Sequence, residues 1–390
     1  MLLSSLTYLI IITSLLIVYL ELKHLFKTTS PLKLKITSSA IKELEDEFHI
    51  DLNINIKNEH KKMEVMIPNL SIETVLIGGK KSKNNKVIGS VYTKHEDLEA
   101  REDGYWPAYI VKANNSTVIN VKLTLKTHSD LLVADSPKGI WVEIKWVNYG
   151  PFGIINRSDG LLVPLEKILK PSKDNMNLYK KNGMTLYPIK THLLGILDDP
   201  REVCRKYIGD LIQPGDILTI GETPLAVMQG RYKNPYEIEL TFLSRCLSRF
   251  FHPTSSLATA CGMQTLIDLV GPTRVLLAWF FGACLKIIGI KGIFYRLAGT
   301  QARLIDDITG TTPPYDKTIV LGPVLSNIIC KEISKDLGIN VAIVDVNDLG
   351  KVKILASSDK SIEPILKLAL VSNPAGNANE QTPLVLVRPC

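Results

Sequence analysis

The chain opens with an uncharged apolar stretch that runs from Leu2 to Leu20. About twenty apolar residues in a helix are long enough to cross the hydrocarbon core of a bilayer, so this pattern predicts a membrane helix within residues 1–27. The stretch lacks a basic n-region and a small-x-small cleavage site, which favours an uncleaved anchor over a signal peptide. Lysines follow it at Lys23, Lys27, Lys33 and Lys35. The positive-inside rule therefore predicts a single-pass membrane protein whose bulk is cytoplasmic.

Short apolar and β-branched runs separated by turn residues come next, and they predict a β-rich domain over residues 28–180. The runs are Val65–Ile67, Thr74–Ile77, Val87–Val91, Tyr109–Val111, Val118–Leu125 and Ile140–Trp146. Ser38–Phe48 instead carries a helical pattern. Alternation in the last run predicts one buried face made of Val142, Ile144 and Trp146. Strands at this spacing are typical of a β-sandwich or barrel.

A polar stretch between Lys167 and Tyr187, with the breakers Pro171 and Gly183, predicts a domain boundary. Strand-like and helical patterns alternate beyond it, which predicts an α+β (mixed α/β) domain over residues 186–390. The strand-like runs are Leu218–Ile220, Leu225–Met228, Thr318–Val320, Val341–Val344, Val352–Leu355 and Leu384–Val387. The helical patterns are Pro200–Leu211, Val324–Leu337 and Ser361–Val371.

A second apolar region lies between Ser255 and Ile290, and Asp268, Arg274 and Lys286 interrupt it. Its uninterrupted core is too short to span a bilayer. The pattern predicts paired amphipathic helices that either pack on the fold or lie on a membrane surface. A second membrane span is the alternative.

Composition and charge narrow the class of protein. With 45% hydrophobic and 22% charged residues the chain is expected to be folded. The net charge of +7 is scattered rather than gathered into a basic stripe, so nucleic acid is not an expected partner. Local excesses at Lys57–Lys62 and Lys80–Lys86 are expected to be solvated loops, with docking of a phosphate or an anionic lipid as the alternative. The six cysteines form no CxxC pair and favour a reducing compartment.

Four segments of the C-terminal half carry motifs that resemble one known family. The first segment, Leu211–Arg231, contains a "GD-hydrophobic" strand and a later glycine–arginine pair, and the second, Phe294–Pro323, contains paired aspartates. The third, Val341–Ser358, has an aspartate after a strand, and the fourth, Asn373–Pro389, is the ending NPAGNANEQTPLVLVRP. Together they resemble a bacterial, divergent branch of the γ-glutamyl ligase family that adds glutamate to coenzyme F-420 precursors.

This resemblance implies a mixed α/β fold, a homodimer, and a reaction that uses Mg²⁺ or Mn²⁺ with GTP or ATP to join glutamate to a small-molecule carboxylate acceptor. It points to Asp306, and to Asp345 or Asp348, as metal ligands, because carboxylate oxygens suit these cations. It also points to a nucleotide site made of Gly215, Gly230, Arg231, Asn347, Gly376, Glu380 and Thr382.

Simpler structural roles stand beside these assignments. As the alternative to a metal site, Asp306-Asp307 is explained as a polar turn and Asp348-Leu349-Gly350 as a hairpin turn. His192 has no partner at a useful spacing in the sequence, so a structural role is expected for it.

The first hypothesis for function is therefore a membrane-anchored, nucleotide- and metal-dependent ligase. The segment Ala226–Gly230 lacks the lysine and carboxylate that the ligases carry there, and Asn347–Gly350 lacks their basic and aromatic loop residues. These departures favour the alternative, a non-catalytic dimeric scaffold at the membrane. An exported envelope component is the third possibility.

Overall fold

The computed structural model describes residues 2–25, 31–44, 47–78, 87–95, 98, 101, 105–126, 136–166, 178–308, 313–346, 350–376 and 380–389. The chain divides into two compact units, one made of residues 1–74, 81–130 and 143–159 and the other of residues 75–80, 131–142 and 160–390. The Lys80–Lys86 run and residues 167–177 of the expected boundary lie outside the described residues.

Helix α1 (Leu2–Leu25) forms where the apolar N-terminal stretch predicts it. Its described apolar portion covers Thr7–Tyr19. Within the described part of the chain, no single helix is both long and apolar enough to cross a membrane, whereas one bent pair of helices is, by length and composition. The N-terminal anchor therefore stays a prediction.

The next part of the chain is built from strands, as predicted. They are β1 (Leu32–Leu44), β2 (Glu47–Asn58), β3 (Val65–Ile67), β4 (Leu70–Ile77), β5 (Val87–Lys94), β6 (Tyr109–Val111), β7 (Ser116–Lys126), β8 (Gly139–Gly150) and β9 (Gly153–Pro164). One sheet has the order β1-β2-β7-β5, a second has the order β4-β8-β3-β6, and β9 pairs with β8. Val142, Ile144 and Trp146 of β8 are all buried, which confirms the predicted face.

The helix predicted at Ser38–Phe48 is wrong, because this segment belongs to a hairpin. Ile41, Leu44 and Phe48 repeat at helical spacing, but Ile41 pairs with Ile50 and Leu44 with Glu47 across antiparallel β1 and β2. The side chains of Ile41 and Leu44 are exposed. Backbone pairing with a strand whose alternate residues are buried outweighs the local spacing of three apolar residues.

The C-terminal part alternates strands and helices. Its elements are β10 (Tyr179–Lys181), β11 (Met184–Ile189), α2 (Pro200–Ile208), β12 (Ile217–Gly221), α3 (Glu222–Met228), β13 (Tyr232–Lys233), α4 (Phe242–Leu247), α5 (Ala260–Val270), α6 (Pro272–Ile287), α7 (Ile293–Ala298), β14 (Ile319–Val320), α8 (Ser326–Leu337), β15 (Asn340–Val346), β16 (Val352–Ser357), α9 (Glu363–Ala369) and β17 (Leu384–Pro389).

A mixed sheet with the strand order β10-β11-β17-β12-β15-β16 organises this part. Strands β12 and β15 run parallel, and the other neighbours are antiparallel. Apolar residues of α2 and α8 pack with one set of strand residues, and those of α9 pack with another set. Since successive strand residues point to opposite faces, the sheet is covered by helices on both sides. The predicted mixed α/β fold with a β-rich N-terminal part fits this arrangement.

The strand predicted at Leu225–Met228 is also wrong, since these residues form the end of α3. The four apolar residues are all buried, as in a buried strand. Length and composition alone do not separate a short buried helix from a short buried strand. Pro224 in the first turn, where a helix tolerates proline, and the helix formers Ala226 and Met228 favour the helix.

The helices α4 to α7 surround a separate apolar cluster that includes Leu247, Met263, Leu266, Val275 and Phe294. Helices α5 and α6 are the predicted pair, and they meet at 115°. Gly271 joins them with φ of 88°, which glycine adopts without strain.

Candidate active site

A cavity of about 570 Å³ lies at the edge of the mixed sheet where β12 and β15 end and β17 begins. Ligand sites of α/β proteins are commonly found beyond the carboxyl ends of parallel strands. Glu222, Asp345, Gly376 and Thr382 are among the lining residues. The folding of the sheet therefore brings together three residues singled out from the sequence, Asp345, Gly376 and Thr382, with one that was not, Glu222.

Glu222 and Asp345 are neighbours because of the strand register. Gly221, the last residue of β12, pairs with Val344 of the parallel strand β15. The residue that follows each of them is an acid, Glu222 at the start of α3 and Asp345 in β15. Both acids line the cavity. Burial, and after it the charge of Asp345, raise the pKa of Glu222 from 4.5 to about 8. Glu222 consequently retains its proton at neutral pH unless a cation compensates its charge.

The carboxyl group of Asp306 interacts electrostatically with those of Glu222 and Asp345. Its backbone forms a bridge with Val320, through hydrogen bonds of 2.8 and 2.9 Å. The residue keeps exposed surface, yet surrounding protein atoms, and then Asp345, raise the pKa of its carboxyl from 3.8 to about 6. Asp306 is not among the described residues that line the cavity, and its carboxyl interacts with that of Asp345 through their charges.

Lys353 supplies the positive charge beside these acids. Lys353 belongs to β16, and its Nζ lies 3.8 Å from Oδ2 of Asp345 in the neighbouring strand β15. Its charge partly offsets the rise in the pKa values of Glu222 and Asp306. The sequence motifs did not mark this lysine. Lys353 lies within the third segment, Val341–Ser358, but at none of its motif positions. Only the pairing of Lys353 with Asp345 between β16 and β15 places it at the site.

The turn before β17 forms another wall of the cavity. Gly376 has φ of 64°, and the Thr382 hydroxyl donates a hydrogen bond to the carbonyl of Ala375. A Cβ atom on Gly376 would lie 2.6 Å from the Cδ atom of Glu380. The carboxyl group of Glu380 thus lies against this turn, where it opposes the approach of an anion.

Three residues of the predicted nucleotide site lie elsewhere. Gly215 precedes β12, so it lies at the end of the strand opposite to the cavity. Gly230 follows α3, and Arg231 donates hydrogen bonds to the carbonyl of Gly322 (2.6 Å) and to Oε1 of Gln301 (3.3 Å). None of these three is among the described lining residues. Asn347 and Asp348 lie outside the described residues.

His192 lines the cavity and has partners that sequence spacing did not reveal. Its Nδ1 atom is 2.6 Å from the hydroxyl oxygen of Tyr207, and its Nε2 atom is 2.8 Å from Oδ1 of Asp198. The other oxygen of Asp198 accepts a hydrogen bond from the backbone of Gly195. Because both ring nitrogens are engaged, His192 fixes the wall of the cavity and has no ring nitrogen left for a ligand.

The acidic side chains at this site offer carboxylate oxygens, the type of ligand that Mg²⁺ and Mn²⁺ prefer. Glu222, Asp306 and Asp345 are oxygen donors whose mutual repulsion a divalent cation would relieve. Among the described residues, no three His, Cys, Asp or Glu side chains form a ready metal-binding group. Mg²⁺ is commonly held by one or two carboxylates together with water and substrate phosphates. The pair Glu222 and Asp345 matches this kind of incomplete protein site.

Comparison with solved structures gives only distant similarities. The GAE domain of GGA2p from Saccharomyces cerevisiae is 12% identical, with 35% of this chain and 92% of that chain covered and a TM-score of 0.20. The CupB6 tip adhesin from Pseudomonas aeruginosa is 8% identical over 34% and 48%, with a TM-score of 0.21. A FixG-related protein from Vibrio parahaemolyticus is 14% identical over 33% and 94%, with a TM-score of 0.17. Such low scores carry no argument about fold or function.

No curated protein matches the chain. One family model does, over residues 34–167, and it describes the N-terminal Ig-like domain of F420-0:gamma-glutamyl ligase. The matched residues include the strands β2 to β9, which form most of the β-rich part of the chain. The β-rich N-terminal part of this protein is therefore similar to the Ig-like domain that accompanies F420-0:gamma-glutamyl ligases.

Proposed function

We propose that this protein is a γ-glutamyl ligase-like enzyme that joins an amino acid to a carboxylate acceptor in the cavity at the ends of β12 and β15. The observation that carries the proposal is the adjacent pair Glu222 and Asp345 in this cavity. The match of residues 34–167 to the Ig-like domain of F420-0:gamma-glutamyl ligase supports the same reaction class. The motif resemblance in residues 186–390 adds glutamate as the amino acid.

The proposed reaction has two steps. The γ-phosphoryl group of ATP or GTP passes to an oxygen of the acceptor carboxylate, which gives an acyl phosphate and a nucleoside diphosphate. The amine of glutamate then attacks the acyl carbon, an amide bond forms, inorganic phosphate leaves, and the amine proton is released to water. The cavity volume of about 570 Å³ is within the range of small-molecule sites.

Each nearby residue has a defined task in this scheme. Glu222 and Asp345 are the residues that would hold a divalent cation. The cation, when bound, neutralises the charge that builds up on the transferred phosphoryl group. In the ligases, a lysine in the segment that corresponds to Ala226–Gly230 neutralises phosphate charge, and this chain lacks that lysine. Lys353, which contacts Asp345, can neutralise part of the phosphate charge in its place.

The remaining parts of the proposal rest on the sequence. Helix α1 anchors the chain in the membrane, the lysines after it keep the bulk of the chain on the cytoplasmic side, and the ligase-like part forms a homodimer, as the resemblance implies. These properties concern where and in what state the enzyme works, and they are independent of the chemistry in the cavity.

The reaction is tested with the full chain in mild detergent, given ATP or GTP, Mg²⁺ or Mn²⁺, glutamate, and pools of small carboxylic acids. We expect no nucleoside diphosphate without an acceptor, at most one equivalent per active site with the acceptor alone, and repeated turnover only when glutamate is also present. Glu222→Gln and Asp345→Asn should each lower the rate about 100-fold, as loss of a group that stabilises transition-state charge does. Glu332→Gln, which removes an exposed carboxylate on α8, should retain the rate. A chain that binds no nucleotide and turns over no acceptor would favour the scaffold alternative.

A further inference from the structure

Helix α6 presents an apolar stripe to solvent. Its exposed side chains recur three, four and seven positions apart, so they share one face of the helix. The exposed apolar residues of this face and of the turn after it are Leu276 (45% exposed), Leu277 (51%), Phe280 (54%), Phe281 (48%), Ile287 (86%), Ile288 (68%) and Ile290 (46%). We name these seven residues the α6 stripe. Soluble proteins place scattered apolar residues at their surface, but a continuous stripe of this kind marks a binding surface.

The opposite face of α6 is part of the apolar cluster described above. Val275 and Ala278 of α6 are buried, and they belong to the same cluster as Met263 and Leu266 of α5. The stripe is therefore fixed on a packed support, and these helices do not need to leave their core for the stripe to be reached.

The charges within residues 242–303, the segment that contains the stripe, are almost all positive. Residues 242–303 contain one acid, Asp268, and seven basic residues, which are Arg245, Arg249, Arg274, Lys286, Lys291, Arg296 and Arg303. The net charge of this segment, +6, is nearly the +7 of the entire chain. All seven basic side chains are exposed. Lys286 and Lys291 flank the isoleucines of the stripe directly, and Arg274 precedes its first leucine by two residues.

The geometry argues against a membrane-spanning role for this region. A helix of 16 residues such as α6 measures about 24 Å, which is shorter than the roughly 30 Å hydrocarbon core. Helix α5 turns away from it at 115°, and its buried side chains hold the apolar cluster together. Crossing the bilayer would dismantle that cluster, whereas lying in the plane of the interface leaves it intact.

We propose that the α6 stripe binds the surface of an anionic lipid bilayer, with its aromatic and aliphatic side chains in the headgroup and acyl boundary and its flanking cations on the lipid phosphates. An apolar face rimmed by lysine and arginine is the pattern of an interfacial helix. Anionic lipids attract such a rim, and this charge complementarity distinguishes a bilayer from a neutral protein partner. The inference is independent of the reaction proposed for the cavity.

The test uses the exposed Cys284 of α6 as the site of a nitroxide label on the full chain. Cys246 and Cys261 are half-buried, so they and Cys390 are replaced by serine, while Cys204 and Cys330 are buried and do not react. The protein is reconstituted into vesicles of neutral lipid alone or with a third of phosphatidylserine. Helix α1 is present in both samples, so any difference between them reports on the labelled surface.

We expect the ratio of oxygen to nickel-complex collisions at Cys284 to be about threefold higher in the anionic vesicles than in the neutral ones. The double variant Lys286→Gln, Lys291→Gln and the double variant Phe280→Ser, Phe281→Ser should each abolish the increase. Tyr236→Ser removes a side chain that is 94% exposed elsewhere and should leave the increase unchanged; circular dichroism confirms that each variant is folded. A label that stays equally exposed to the nickel complex in anionic vesicles would overturn the proposal. The proposal would also be overturned if the label at Cys284 were equally protected from the nickel complex in protein without vesicles. That result would indicate that a second copy of the chain covers the stripe.

Discussion

Glu222 and Asp345 stand side by side at the ends of two parallel strands, because Gly221 and Val344 are partners in the ladder between β12 and β15. Two neighbouring acids in a partly buried place destabilise a fold unless a cation or a proton compensates them. In this protein Lys353 beside Asp345 compensates part of the negative charge. The proton that Glu222 keeps at neutral pH, with a pKa of about 8, compensates a further part. The pair therefore behaves as a site that is prepared for a positive ligand.

The first prediction concerns stability against pH. The pKa of Glu222 is about 8 in the folded chain and 4.5 as the ordinary value. Between these values the unfolded chain releases the proton while the folded chain retains it, so stability is full below about pH 4.5 and falls as the pH rises towards 8. Glu222→Gln should remove this loss, on the order of 5 kcal/mol, and raise the melting temperature at pH 8 more than at pH 5.

Thermal unfolding of the two proteins at a series of pH values measures this effect. Glu332→Gln is the matched control, because it removes an exposed acid and should melt as the parent does at each pH. Parallel pH profiles for the Glu222→Gln variant and the parent would contradict the assignment of a raised pKa to Glu222.

The second prediction concerns Asp216, which belongs to the first ligase-like motif. Its side chain is fully buried, and both carboxylate oxygens accept hydrogen bonds of 2.8 Å from Arg388. This pair connects the start of β12 to the end of β17, away from the cavity. Arg388→Met should cost about 3–5 kcal/mol, since it leaves a buried carboxylate without its cation. Urea unfolding measures the cost.

The double variant Asp216→Asn, Arg388→Met should recover part of this loss, because it buries no uncompensated charge. Its nucleotide affinity should equal that of the parent. A single variant that unfolds within about 1 kcal/mol of the parent would show that the pair has no structural weight.

The third prediction concerns the wall of the cavity around His192. The hydroxyl oxygen of Tyr207 lies 3.2 Å from the backbone nitrogen of His192, as well as near its ring. Tyr207→Phe leaves these buried groups without a partner, which should cost roughly 1–3 kcal/mol. Hydrogen exchange of the peptide that covers residues 191–198 should become faster. Tyr236→Phe, at a side chain that is 94% exposed, is the control, and unchanged exchange in Tyr207→Phe would rule out the positioning role.

The sequence predicts the β-rich N-terminal part and the mixed α/β part that follows it, together with many of their strands. Alternation identified β8 and its buried face, and the run of apolar residues identified β12, β15 and β17. The errors at Ser38–Phe48 and at Leu225–Met228 have different causes. In Ser38–Phe48 three apolar residues recur at helical spacing, but the pairing of β1 with β2 decides the structure. Leu225–Met228 is a short apolar run, which fits a buried strand and a buried helix equally well.

The candidate site was only partly predictable for a related reason. Asp345, Gly376 and Thr382 lie in motifs and also line the cavity, whereas Gly215 lies in a motif at the far end of β12. Glu222 and Lys353 lie within the first and third segments but at no motif position, and their place in the site depends on which strands are neighbours. Strand order is a property of tertiary structure that local patterns do not encode.

The central claim is tested most directly by calorimetric titration of ATP and GTP into the full chain, with and without Mn²⁺. The account predicts nucleotide binding that requires Mn²⁺ and is lost in Glu222→Gln and in Asp345→Asn. Binding should be weakened but retained in Asp306→Asn, because this residue acts only through its charge. It should be unchanged in Glu332→Gln. Binding that needs no metal or survives in Glu222→Gln and Asp345→Asn, or no binding to a folded chain, would contradict it.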